Sequence, residues 1–169
     1  VSNAGVVATD VTGVGTTRVN LAACEYGEDK GIFGFGYSGS FVSMSNLVSN
    51  AGVVATDTTG VGSARNLLAA CSYGTDKGIF GYGNGGSDTA ISNLVSNTGV
   101  VATDTSGVGT ARRDLAATQY GIDKGIFAYG ATASTIYSLS NLVSNAGVVA
   151  TDVTGVGTVR VLSRGCSYG

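Results

Sequence analysis

There is no histidine in this chain, and no tryptophan or proline. Without histidine, the commonest acid–base side chain is missing, and neither a Cys–His nor a Ser–His couple can form. No carboxylate pair is singled out by spacing. Charge is scarce as well: 12% of residues are charged and the net charge is −2. Nothing in that balance draws the chain to nucleic acid or to an anionic membrane surface. No apolar run approaches the ~20 residues of a membrane-spanning helix. The three cysteines, Cys24, Cys71 and Cys166, are an odd set at one repeat position, which the third copy fills with Thr118. They read as small core residues, not as a disulfide framework. Without histidine or a Cys-x-x-Cys pair, no metal site is expected, and no cofactor.

What the chain has in quantity is glycine, 28 residues of it, together with repetition. The glycines follow no collagen period. A hydrophobic fraction of 43% argues against disorder. The text Val-Ser-Asn-[Ala/Thr]-Gly-Val-Val-Ala-Thr-Asp begins at Val1, Val48, Val95 and Val143, in steps of 47, 47 and 48 residues. Residues 1–169 are therefore expected to form one repeat domain, with its last copy cut short. The text starts and stops inside a repeat, so the chain is expected to be part of a longer one.

Four segments recur, the second of them in three copies only, and the last copy of the first segment, from Arg160, is degenerate. The first follows an arginine (Arg18, Arg65, Arg112 and Arg160), and the second is Lys-Gly-Ile-Phe-[Gly/Ala]-[Phe/Tyr]-Gly. The third ends in Ser-Asn-Leu-Val-Ser-Asn and the fourth is Gly-Val-Val-Ala-Thr-Asp. They are short, rich in β-branched residues and bounded by turn residues, which predicts strands. Apolar residues fall on both alternating faces: Ile79 on one, Phe80 and Tyr82 on the other. Strands buried on both faces suit sheets that stack face to face. Tyr-Gly-x-Asp-Lys (Tyr26 to Lys30 and its copies) predicts a tight hairpin. Thr-Gly-Val-Gly is expected to carry the chain between sheets. Four strands per 47 residues predict an all-β, β-propeller-like fold with four-stranded antiparallel blades, about 3.5 of them visible. The alternative is an open β-solenoid of stacked sheets.

The order of Arg65, Ala69, Ala70, Lys77, Ile79, Phe80 and Gly83, with their equivalents, resembles a kelch-type propeller repeat. That resemblance implies that the first segment is innermost and Gly-Val-Val-Ala-Thr-Asp outermost. The outer-strand text at Ala4 to Asp10 and the inner-strand text at Arg160 to Gly169 are then expected to share a sheet. Its second and third strands would come from further copies or another chain. The Asn-Leu-Val-Ser-Asn and Val-Ala-Thr-Asp text also resembles long repeat proteins encoded by phages and related viruses, which implies a virion or extracellular setting.

A catalytic residue is normally singular, whereas a residue copied into every repeat is normally structural. Arg18, Arg65, Arg112 and Arg160 are expected to bond loop carbonyls or the carboxylates of Asp10, Asp57, Asp104 and Asp152, since a buried guanidinium needs its fork satisfied. The other reading is a ring of arginines around an anionic ligand. The Asp-Lys pairs are read as solvated hairpin tips. The Asp-Thr-Thr-Gly-Val-Gly loops offer one carboxylate per copy, short of what Ca²⁺ needs. Gly-Val-Gly lacks the helix a phosphate loop requires. Arg113, Asp114, Glu25 and Glu28 are off-pattern and read as surface.

The stretch after each Gly-x-Gly differs in every copy, and binding commonly resides in variable loops on a fixed scaffold. The candidates there are Tyr37, Phe41, Asn84, Asp88 and Tyr137. The expected function is therefore a non-catalytic binding module for a protein or carbohydrate surface, as a virion tail or fibre component. The alternative is a structural repeat that assembles with copies of itself or with neighbouring virion proteins.

Overall fold

The computed structural model describes residues 5–167. Among these the chain is all β, in three antiparallel sheets of three strands each. The first holds β1 (Ala22–Tyr26), β2 (Lys30–Gly34) and β3 (Ser45–Val48). The second holds β4 (Ala69–Tyr73), β5 (Lys77–Gly81) and β6 (Ser92–Val95). The third holds β7 (Ala116–Tyr120), β8 (Lys124–Ala128) and β9 (Ser140–Val143). Register is the same in all three: Cys24 faces Ile32, Cys71 faces Ile79 and Thr118 faces Ile126. The hairpins between first and second strands turn on Gly27, Gly74 and Gly121, each with positive φ.

Four-stranded propeller blades do not form. The Gly-Val-Val-Ala-Thr-Asp segments form no strand: in the first copy the returning chain meets the third strand at isolated bridges, Val48 to Val54 and Ser45 to Thr58, with Ala55 N donating to Leu47 O at 2.8 Å between them. The cause is a mismatch in length. Between those bridges the third strand advances by three residues and the returning segment by four. The extra residue is a bulge that breaks the ladder. The same mismatch recurs at Ser92 to Val95 and at Ser140 to Val143. None of the sheets closes on itself. Among the described residues, the segments expected to share a sheet, those near Asp10 and Arg160, are not strands.

The sheets pack in chain order, first on second and second on third. Phe80 lies on Gly34 of the sheet before it, and Phe127 lies on Gly81. A Cβ at either glycine would sit 2.7 Å from the tip of the phenyl ring, so glycine is what permits the approach. The middle sheet is covered on both faces, and Ile79, Phe80 and Tyr82 are fully buried. Phe80 joins Phe35 and Leu68 in the core toward the first sheet. Ile79 joins Phe127 and Leu115 in the core toward the third. Tyr82 goes with Ile79 and not, as strand alternation predicts, with Phe80. Its φ of 63° takes it out of the extended conformation and reverses its side chain.

Backbone hydrogen bonds also run from copy to copy. Leu67 N donates to Asn20 O at 3.0 Å, Asp114 N to Leu67 O at 2.9 Å and Leu162 N to Asp114 O at 3.0 Å. These four residues occupy one repeat position, and all have φ between 55° and 57°. The first segments of all four copies face shared cavities of about 260 and 510 Å³.

Candidate functional site

Three of the four repeated arginines, Arg18, Arg65 and Arg112, sit in hydrogen-bond networks with the third strand of their sheet. Arg65 is buried. Its Nε donates to Tyr82 O at 2.8 Å, Nη1 to Ser63 O at 3.1 Å and Nη2 to Asn93 Oδ1 at 2.8 Å. Asn93 passes the chain on, donating to Asp104 Oδ1 at 2.9 Å and to Ala102 O at 3.0 Å. Asp104 accepts from the Ser63 hydroxyl at 2.7 Å. Arg112, Asn141, Asp152 and Thr110 repeat this arrangement. Arg18, Asn46, Asp57 and Thr16 repeat most of it, but Arg18 Nε has no partner. Each aspartate lies in the bulged segment. Gly62, with φ of 83°, gives Asp104 room that a Cβ would take. Arg65 also stacks on Phe35 at 4.2 Å and Arg112 on Tyr82 at 4.4 Å, which ties each network to the preceding sheet.

Arg65 and Arg112 are buried with each guanidinium nitrogen bonded to protein, so they present no open face to an anionic ligand. Burial pulls Arg65 down to about 10, against the opposing pull of Asp104, and it stays protonated at neutral pH. Arg160 is exposed and reaches Tyr129 Oη at 3.3 Å. Asp10 is exposed too. The asparagines Asn46, Asn93 and Asn141 escape a reading of the sequence because they sit inside the same Ser-Asn-Leu-Val text as the strand. A polar residue recurring between apolar neighbours is the signal that points to them.

The aspartates make the fold acid-sensitive. Hydrogen bonds from Thr16 and Asn46 hold Asp57 below the ordinary carboxylate range. At Asp104 and Asp152 desolvation is the largest influence and opposes ionisation, but bonds from Ser63, Asn93, Thr110 and Asn141 outweigh it. The unfolded chain takes up protons near the ordinary value of ~4, and the folded chain only below it. Stability is thus complete above that value and lost as pH falls through the lowered ones. Thermal unfolding followed by circular dichroism is expected to give a Tm flat from pH 7 to about 5, then falling steeply below about 4.

The variable loops form small hairpins on the rim. Tyr37 bridges Val19 and Phe41, Asn84 bridges Asn66 and Asp88, and Ala131 bridges Arg113 and Ile136. Four of the five candidate residues come together. Tyr37, Phe41 and Asn84 line a cleft of about 400 Å³ with Asn66, Leu67 and Arg113. Asp88 stands behind it, bonded by Asn84 Nδ2 at 2.8 Å and by Arg113 Nη1 at 2.7 Å. Tyr37 and Phe41 meet edge to face at 5.6 Å. Tyr37 is 38% exposed.

Tyr137 does not join them. The extra residue of the third copy lies within the loop, so the partner of Ala131 is Ile136, and Tyr137 is one place further on. Its backbone N bonds Gly130 O, as Thr89 N bonds Gly83 O and Val42 N bonds Gly36 O. Arg113 is the residue that a surface reading overlooks. Its equivalents are Val19, Asn66 and Val161, so it is the only cation at that repeat position.

Among the described residues no cluster of three or more metal-ligating side chains occurs, and no helix is long and apolar enough to cross a membrane. No protein-family model matches the chain, and no curated protein matches it.

Proposed function

We propose that the chain is a non-catalytic binding module that takes a neutral carbohydrate chain in the rim cleft, in the setting of a virion tail or fibre. The observation that carries this reading is the pairing of the Tyr37–Phe41 aromatic surface with the Asn84–Asp88–Arg113 group. An aromatic face suits the apolar side of a sugar ring, and an amide beside a guanidinium suits its hydroxyls. The Arg113 charge is already balanced by Asp88, which favours a neutral ligand over an anionic one. The virion setting rests on the repeat text alone.

A glycan array probed with the intact protein tests the reading. At least one neutral glycan is expected to bind, and Tyr37→Ala to weaken it about ten-fold, or ~1.4 kcal/mol. An array blank for the wild-type protein refutes it. The second reading, a structural repeat that assembles with copies of itself, is favoured by the backbone bonds that pass identically from copy to copy. It predicts oligomers in solution, and a monodisperse monomer counts against it.

A further inference from the structure

The rim hairpin of the second copy carries the only Asn-Gly pair in the chain, Asn84–Gly85. Every other asparagine is followed by leucine, alanine or threonine, whose Cβ hinders the approach of the next backbone nitrogen to the side-chain amide. Asn46, Asn93 and Asn141 are buried as well. Gly85 is exposed, and its N–H is held by a bond to Ser87 O at 3.2 Å, at the long end of the range for such bonds. The fold itself keeps this glycine, because a Cβ on Gly85 would lie 2.7 Å from Ala64 O. The Asn84 amide is gripped at both ends. Its Oδ1 accepts from Gly86 N at 3.0 Å, and its Nδ2 donates to Asp88 Oδ1 at 2.8 Å. A donor on the carbonyl oxygen stabilises the negative charge that develops there under nucleophilic attack.

We infer that Asn84–Gly85 is a modification site, at which water converts the Asn84 amide to a carboxylate beside Asp88 and Arg113. Gly85 N gives its proton to hydroxide and bonds to Asn84 Cγ. The Cγ–Nδ2 bond breaks, and Nδ2 takes a proton from water and leaves as ammonia. Water then opens the cyclic imide. Attack at Cγ leaves aspartate on an unchanged main chain. Attack at the carbonyl carbon of residue 84 leaves isoaspartate, with a methylene added to the main chain. Either product loses the amide donor that Asp88 Oδ1 now shares with Arg113 Nη1. It adds a negative charge to a group that already holds Asp88, Arg113 and Asp114, and like charges so close repel. Isoaspartate does more. Asn84 N donates to Asn66 O at 2.8 Å and Asn66 N to Asn84 O at 2.9 Å, and a longer main chain breaks that register. Both residues line the rim cleft, so the modification reshapes its wall. The inference holds whether or not a sugar occupies the cleft.

Incubation of the intact protein at mildly alkaline pH, followed by peptide mapping with mass spectrometry, tests it. Residue 84 is expected to gain the mass of the acid about ten-fold faster than exposed Asn50, a barrier difference of ~1.4 kcal/mol. Asn84→Gln is expected to abolish the fast change. In the isoaspartate fraction, separated by ion exchange, the Asn66 amide is expected to lose its protection from hydrogen exchange. Asn84 reacting no faster than Asn50, or a fast change that persists in Asn84→Gln, overturns the site. Unchanged protection of Asn66 in the isoaspartate fraction overturns the reshaping of the cleft.

Discussion

Arg65→Ala is expected to destabilise the protein by about 3–5 kcal/mol, the cost of removing one member of a buried charged network. Three donors would disappear together, from bonds to Tyr82 O, Ser63 O and Asn93 Oδ1. Asn93, itself fully buried, would then hold an unmet carbonyl oxygen. The stacking of the guanidinium on Phe35 would go as well, so the loss extends across the sheet-to-sheet contact. The repeat provides its own control. Arg160 stands at the same repeat position but is exposed and lies 5.3 Å from the Tyr129 ring centroid. Arg160→Ala is expected to change stability by less than about 0.5 kcal/mol. Urea unfolding of both variants makes the comparison. Equal effects would mean that burial of the network is not what stabilises the sheet.

Phe80→Ala is the second large effect, also about 3–5 kcal/mol, from lost burial and the cavity left behind. Phe80 is fully buried and meets Phe35 edge to face at 5.2 Å. Phe33 has the same repeat position and the same neighbours in sequence, yet it is 38% exposed, because no sheet precedes its own among the described residues. Phe33→Ala is expected to cost about 1 kcal/mol, since much of its surface already faces water. Calorimetry on the pair separates intrinsic strand preference, which is equal at both positions, from packing, which is not. A similar loss at both would argue that the first sheet is covered in solution.

These contrasts also show which parts of the fold the sequence reveals. Alternation and turn residues were enough to place β1 to β9, because Ala-Ala-Cys-x-Tyr and Lys-Gly-Ile-Phe carry the strand pattern locally. The four-stranded blade failed on a count of one residue. Nothing in Val-Val-Ala-Thr-Asp announces that it advances four residues against three of its partner. Tyr82 departs from the face that alternation predicts for a related reason: a bulky residue with positive φ has no sequence signature. At the rim, Tyr37, Phe41, Asn84 and Asp88 stood out because they vary between copies. Arg113 varied too, but its role depends on a neighbouring copy bringing Asp88 within reach. Contacts between copies are long-range information that a single repeat does not contain.

The backbone bonds that link Asn20, Leu67, Asp114 and Leu162 have an evolutionary consequence. The linkage uses main-chain atoms alone, so the side chains at this position are released from holding copies together. They differ between the copies: an amide, an alkyl group, a carboxylate and an alkyl group. All four border one cavity. A lineage can thus rewrite the lining of that cavity one residue at a time while the junctions between copies stay intact.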